Sequence, residues 1–196
     1  IGTTMTAQLI AFKLSDYVPV LIFIGFLVQL LARRSRTKYL GQVLLGFGIL
    51  MMGMDIMGKA VMPLRNYQGF VDFIGAFSNN PILGIGIGVV MTVLIQSSSA
   101  TIGILIAMAG QGLIPLEGAI PVLLGDNIGT CITAVLASMR ANQTAKRVAL
   151  AHVMFNVIGS IIFVIFMRWF VEIVMYVSPA GDIARQIANA HPAFNT

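Results

Sequence analysis

Cysteine occurs once in this chain, at Cys131, histidine twice, and charged residues make up only 10% of the sequence. A lone thiol excludes an internal disulfide framework, and no cysteine pair or histidine cluster has the spacing of a zinc site. So few charges exclude a water-covered globule, because soluble domains carry about 25% charged residues. No nucleophile, base and orienting group occur together, so the sequence offers no enzyme site. What is present is apolar: 58% of residues are hydrophobic and the mean hydropathy is +0.92. The net charge of +5 does not point to nucleic acid, since the basic residues bunch as Arg33, Arg34, Arg36, Lys38 and as Arg140, Lys146, Arg147. Each group lies between apolar segments, the pattern of cytoplasmic loops. The chain reads as an all-α, multi-pass membrane protein of the plasma (inner) membrane, with loops 33–38 and 140–147 cytoplasmic. It starts at Ile1 without an initiator methionine or a signal peptide, and so reads as a piece of a longer protein.

Residues 17–32 form a continuous apolar run, counted as a crossing, and 39–62 a second run long enough to cross a bilayer. Asp55 and Lys59 stand four apart on one face of the second and can pair. After a linker containing Pro63 and Arg65 comes a short amphipathic stretch, 70–77, read as interfacial, and the turn Ser78-Asn79-Asn80-Pro81. The apolar run 82–95 is too short to cross, halts at Gln96-Ser97-Ser98-Ser99, and resumes at 102–109. Two half-length helices around a polar tip predict a re-entrant hairpin over 82–109. Gly84, Gly86 and Gly88 alternate as in a strand, but an isolated strand in a membrane leaves its edges unpaired, so close helix packing is expected. Glu117 falls in the next loop. Residues 119–138 form a span that is expected to break at Gly125-Asp126-Asn127-Ile128-Gly129-Thr130. A last span is expected over 148–170, with His152 and Asn156 one turn apart as a packing pair rather than a proton relay.

Ile1-Gly2-Thr3-Thr4-Met5-Thr6-Ala7 repeats as Ile128-Gly129-Thr130-Cys131-Ile132-Thr133-Ala134 at five of seven positions. Three crossings separate the two copies if 82–109 is a hairpin, and an odd number makes the copies inverted. The same count puts both basic loops on one side, as the positive-inside rule requires. The resulting organisation is 1–13 as the end of a first inverted repeat, 14–69 as connecting helices, 70–178 as the second repeat, and 179–196 as the start of a further, truncated segment. A second echo pairs Ala151-His152-Val153-Met154-Phe155-Asn156 with Ala190-His191-Pro192-Ala193-Phe194-Asn195.

On these residues the chain resembles the sodium-dependent phosphate cotransporters, the type II proteins of animals and their bacterial relatives. That family carries two inverted units, each with a Gln-Ser-Ser-Ser tip followed by an Asn-Ile-Gly-Thr segment. The resemblance implies symport of inorganic phosphate with Na+. On matching positions, Gln96, Ser97, Ser99, Thr130 and Thr133 resemble the sodium ligands, and Ser97, Ser98, Ser99 and Ala100 the phosphate-facing tip. Thr3 and Thr6 match the corresponding threonines of the first unit, whose own hairpin is not in this sequence and would be the partner of this one. No organic cofactor is implied.

The chemistry of the residues fits that implication. Sodium is a hard cation met by neutral amide, hydroxyl and carbonyl oxygens. Phosphate is met by N–H donors at a helix N-terminus near Ser98. No Arg or Lys lies near the tip, so bound sodium supplies the countercharge and the two ligands bind cooperatively. Asp126 reads as a helix cap or a further sodium ligand, and Asn127 as a residue that holds a broken helix open or meets an ion. Two other functions stay open: a sodium symporter for another small oxyanion, and a channel or membrane scaffold whose polar breaks only permit close packing.

Overall fold

In the computed structural model residues 2–11 and 17–195 are described, and they form ten α-helices and no strand. The helices are α1 (Gly2–Ile10), α2 (Val18–Leu31), α3 (Ser35–Val61), α4 (Gln68–Ser78), α5 (Pro81–Ile95), α6 (Ser98–Gly110), α7 (Leu116–Ser138), α8 (Gln143–Ile165), α9 (Met167–Tyr176) and α10 (Ile183–Asn195). The boundary expected between residues 13 and 14 lies outside the described residues, as does Ile1. Among the described residues three helices are long and apolar enough to cross a membrane: α3 with its 3-10 extension to Asn66, α7 and α8. The pair α4 and α5, bent by 113° at the Asn79-Asn80 break, raises the number to four if counted as one span.

Large apolar side chains cover the outside, among them Phe23, Phe26 and Leu30 on α2 and Phe155, Ile161 and Ile165 on α8. Water does not tolerate such a surface, and lipid does. Helix α7 is the centre of the molecule. Its first half is buried on every side, from Gly118 through Asn127, as expected of a helix that is apolar all round. Helices α2 and α3 form an antiparallel pair joined by the first basic loop. Gly25 faces the backbone of Leu45 and Gly41, and Gly41 faces that of Gln29, so a Cβ at either would meet the opposite main chain. Without a hydrophobic drive between helices in lipid, such backbone approach is what holds a pair together.

The pairing that positions the site is between α5 and α7. Gly84 lies on Pro121, Gly88 on Val122 and Asp126, Gly125 on Ile85 and Val89, and Gly129 on Thr92. Residue numbers rise together along both helices, so the two are parallel. The alternating glycines therefore divide: Gly84 and Gly88, one turn apart, form the contact stripe, whereas Gly86 meets nothing. Parallel neighbours need a return element between them, and α6 supplies it. Thr92 and Thr101, nine residues apart, bring their hydroxyl oxygens to 3.3 Å. A continuous helix would separate them by about 13 Å, so the chain reverses at Gln96-Ser97 and the expected hairpin is present. Beyond this point the arms diverge around an apolar cavity of ≈ 200 Å³ lined by Ile87 and Met91 on one arm, Leu105 and Met108 on the other, and Phe73 and Phe77 of α4.

Four expectations are corrected. The span over 119–138 is not broken at 125–130: α7 runs unbroken from Leu116 to Ser138, because Gly125 and Gly129 serve close contact with α5 rather than a change of backbone. Asp126 therefore caps nothing and Asn127 holds no break open. Glu117 lies in the first turn of α7, not in a loop, where its charge suits the helix dipole. The last span stops at Ile165 and a separate α9 begins after Phe166. The Asp55–Lys59 pair forms as expected, at 2.6 Å.

The entry to α5 is fixed by Asn80, whose side-chain oxygen accepts hydrogen bonds from the N–H groups of Ile82 and Leu83. Asn80→Ala should cost about 1 kcal/mol. Denaturant unfolding followed by circular dichroism checks it, and an unchanged midpoint would remove the cap from this account.

Candidate functional site: the hairpin tip and its seat on α7

The tip is built by the backbone before any side chain acts. Gln96 ends α5 in the left-handed conformation, φ 55°, the only non-glycine with positive φ among the described residues. Its N–H still donates to the Thr92 carbonyl at 2.7 Å. Ser97 is extended and caps α6, its hydroxyl accepting from the Ala100 N–H at 3.3 Å. The helix thus starts at Ser98, as the sequence predicts, with its free N–H groups at the tip.

Among the described residues, neither the Gln96 amide nor the Ser98 and Ser99 hydroxyls meet a hydrogen-bond partner. Gln96 and Ser97 are exposed, and Ser98, Ser99 and Ala100 are half-buried. A strained residue followed by unpartnered polar groups is the kind of backbone that ligand clamps retain. From Pro81 to Ser138 the sole charged residues are Glu117 and Asp126, so no fixed cation faces the tip from these helices.

The parallel pairing decides which α7 residues join the tip. Gly84 sits beside Pro121 and Thr92 beside Gly129. Carried one turn further, the same register assigns Gln96 the height of Thr133. Thr130 is half-buried and Thr133 exposed at this level, and both hydroxyls donate to their own helix, Thr130 to the Asp126 carbonyl at 2.8 Å and Thr133 to the Thr130 carbonyl at 3.1 Å. A hydroxyl whose proton is spent on the backbone leaves oxygen lone pairs for a cation. Among the described residues no hydrogen bond joins the tip to Thr3 or Thr6. On α1, Thr6 donates to the Gly2 carbonyl at 3.2 Å, the same bond that Thr130 makes.

Asp126 and Asn127 lie elsewhere than expected. Asn127 donates to the Leu123 carbonyl at 3.1 Å. Asp126 is fully buried between α7 and the hairpin, where Oδ1 accepts from the Thr92 hydroxyl at 2.7 Å and Oδ2 has no partner. Sequence reasoning missed Thr92. The available signal was that it is the one polar residue in α5, a single turn before Gln96.

The repeated sequences also repeat part of their contacts. On α7, Cys131 faces α8, where Asn156 donates to its sulfur at 3.3 Å and to the His152 carbonyl at 3.0 Å. On α1 the equivalent residue, Thr4, bonds His191 Nδ1 of α10 at 3.0 Å, and Asn195 donates to the His191 carbonyl at 2.9 Å. Both pairs thus keep the bond from asparagine to the histidine carbonyl one turn before it, while the bond across to the neighbouring helix comes from Asn156 in one and from His191 in the other.

One family model, described as Na+/Pi-cotransporter, matches residues 1–59 and 65–178, a range that includes the hairpin and α7. The chain belongs to the Na+/Pi-cotransporter family. The protein YqeW of Bacillus subtilis (strain 168) is 37% identical over 195 residues, all of this chain and 62% of that protein. The putative inorganic phosphate export protein YjbB of Escherichia coli (strain K12) is 30% identical over 172 residues, 88% of this chain and 32% of that protein. The sodium-dependent phosphate transport protein 2A of Rattus norvegicus is 41% identical over 69 residues, 35% of this chain and 11% of that protein. The chain thus spans less than two thirds of the length of each of these relatives. No solved structure matches it.

Proposed function

We propose that the protein containing this chain moves inorganic phosphate across the membrane together with sodium, and that residues 96–101 form half of the binding site. The observation that carries this reading is the tip itself: unpartnered Gln96, Ser98 and Ser99 at the start of α6, at the height that the α5–α7 register gives Thr130 and Thr133, with no basic side chain between Pro81 and Ser138. Sodium is held by Gln96, Ser97, Ser99, Thr130 and Thr133, with Asn127, Asp126, Thr3 and Thr6 as further candidates. Phosphate faces Ser97, Ser98, Ser99 and Ala100. The anion meets N–H dipoles and hydroxyls, and sodium offsets its charge at membrane depth, so each ion raises the affinity for the other. A second tip, from a first-repeat hairpin outside this chain, completes the site.

The membrane is the plasma (inner) membrane, with loops 33–38 and 140–147 on its cytoplasmic side. The direction of α3 supports one side for both loops. Met54 and Met57 lie against Gly103 and Gly58 lies against Gln111, so α3 runs with α6, the return arm, and against α7.

The names of the relatives differ in direction, export for YjbB and sodium-dependent transport for protein 2A, so the test must follow flux both ways. Reconstituted intact protein should carry labelled phosphate several times faster down a sodium gradient than down an equal potassium gradient. Equal rates would reject sodium coupling. Competition by sulfate would shift the reading to another oxyanion, and flux without saturation to a channel.

A further inference from the structure

Thr92 is 1% exposed, Thr101 and Asp126 fully buried, and the three meet where the hairpin arms cross α7. The Thr92 hydroxyl lies 2.7 Å from Asp126 Oδ1, 2.9 Å from the Gly88 carbonyl and 3.3 Å from Thr101 Oγ1. It has one proton to give, and the shortest contact is the one that crosses to another helix. Its backbone is engaged as well, since the Thr92 carbonyl accepts the 2.7 Å bond from Gln96 N–H that ends α5. Thr101 in turn lies one turn after Ser97, to whose carbonyl its hydroxyl reaches at 3.3 Å. The β-carbon of Thr92 also packs on Gly129, the residue before Thr130.

We infer that Thr92 is a positioning residue for the hairpin tip: it touches neither ion, and through Asp126 and Thr101 it fixes how far Gln96 and Ser97 stand from Thr130 and Thr133. A helix end in the left-handed conformation is determined by what surrounds it. At Gln96 the neighbouring side chains supply no bond, so the restraint comes from one turn below. Gly88 and Gly129 let the backbones approach, and the hydroxyl then sets rotation and height along α7, which glycine contacts alone leave free. With its own proton on Asp126, the Thr92 oxygen accepts from Thr101 when the Thr101 proton turns to it rather than to the Ser97 carbonyl, and the second arm is then referred to the same carboxyl group on α7. This role rests on the sodium-coupled reading for its transport readout alone.

The test uses the intact protein with Thr92→Val, which keeps the shape and removes the hydroxyl, and Thr92→Ser, which keeps the hydroxyl. In proteoliposomes Thr92→Val should raise the sodium concentration for half-maximal phosphate flux by roughly tenfold, the equivalent of one hydrogen bond to a carboxylate. Thr92→Ser should restore it, and in an Asp126→Asn background Thr92→Val should add little to the hydrogen exchange of the 96–101 amides, a readout that does not depend on whether Asp126 meets sodium. Hydrogen exchange of the 96–101 amides, read by mass spectrometry, should rise in Thr92→Val and return in Thr92→Ser whether or not sodium drives flux. Wild-type sodium dependence and exchange in Thr92→Val would overturn the inference, as would equal defects in Val and Ser, which would assign the effect to packing. Loss of sodium dependence in the wild type, with the exchange pattern intact, would count against the transport reading and leave the positioning role standing.

Discussion

Gln96→Ala should reduce sodium-dependent phosphate flux to background while the protein still inserts and keeps its helical signal. The backbone at Gln96 is left-handed, and alanine bears that conformation no better than glutamine does, so this variant removes the amide and retains the strain. Gln96→Gly separates the two contributions, because glycine adopts positive φ without penalty. If the amide oxygen is a sodium ligand, both variants lose flux. If its role is only to end α5, the glycine variant transports normally. Normal sodium affinity in Gln96→Gly would remove Gln96 from the ligand set, and with it the main support for a sodium site at the tip.

Gly88→Ala is expected to be at least as damaging, by a different route. A Cβ at Gly88 would run into the Val122 carbonyl and the Asp126 N–H region of α7. Side chains relax, but two helix backbones in contact must move apart as bodies. Overpacking in ordinary cores costs about 1–3 kcal/mol, and here it also lifts the Thr92–Asp126 contact one turn away, so the loss should reach or exceed the upper end of that range. Gly86→Ala is the control. It faces open space, and alanine in a helix is favoured over glycine by about 0.5–1 kcal/mol. Detergent-solubilised protein should therefore melt lower for Gly88→Ala and no lower for Gly86→Ala. Identical melting curves would mean that α5 and α7 do not pack as described.

How much of this was legible follows from what each residue signals locally. The hairpin was, because half-length apolar runs around Gln-Ser-Ser-Ser have few ways to satisfy their backbone in lipid. The start of α6 near Ser98 was legible for the same reason, whereas the cap at Ser97 that fixes it was not read. The supposed break at 125–130 was misread: glycine beside polar residues looks the same whether it bends a helix or admits a neighbour. Only the partner distinguishes them, and Ile85 and Val89 lie forty residues upstream in another element. Asp126 was misplaced along with that break. The parallel register that brings Thr133 level with Gln96 is a tertiary fact with no local trace, and so is the burial of Thr92. The sequence echoes do not carry their cross-helix bonds with them: Thr4 is met by His191, whereas the equivalent Cys131 is met by Asn156, the counterpart of Asn195.

The bond between Thr4 and His191 spans 187 residues of sequence. During synthesis α1 is complete long before α10 exists, and at the usual pace of about 5–20 residues per second the wait is on the order of ten to forty seconds. Throughout that interval the buried face of α1, with Thr4 and Gln8, has none of its α10 partners, so the ribosome and the insertion machinery must shelter an incomplete helix pair. The contact between α1 and α10 is therefore made only after the eight helices between them have been synthesised.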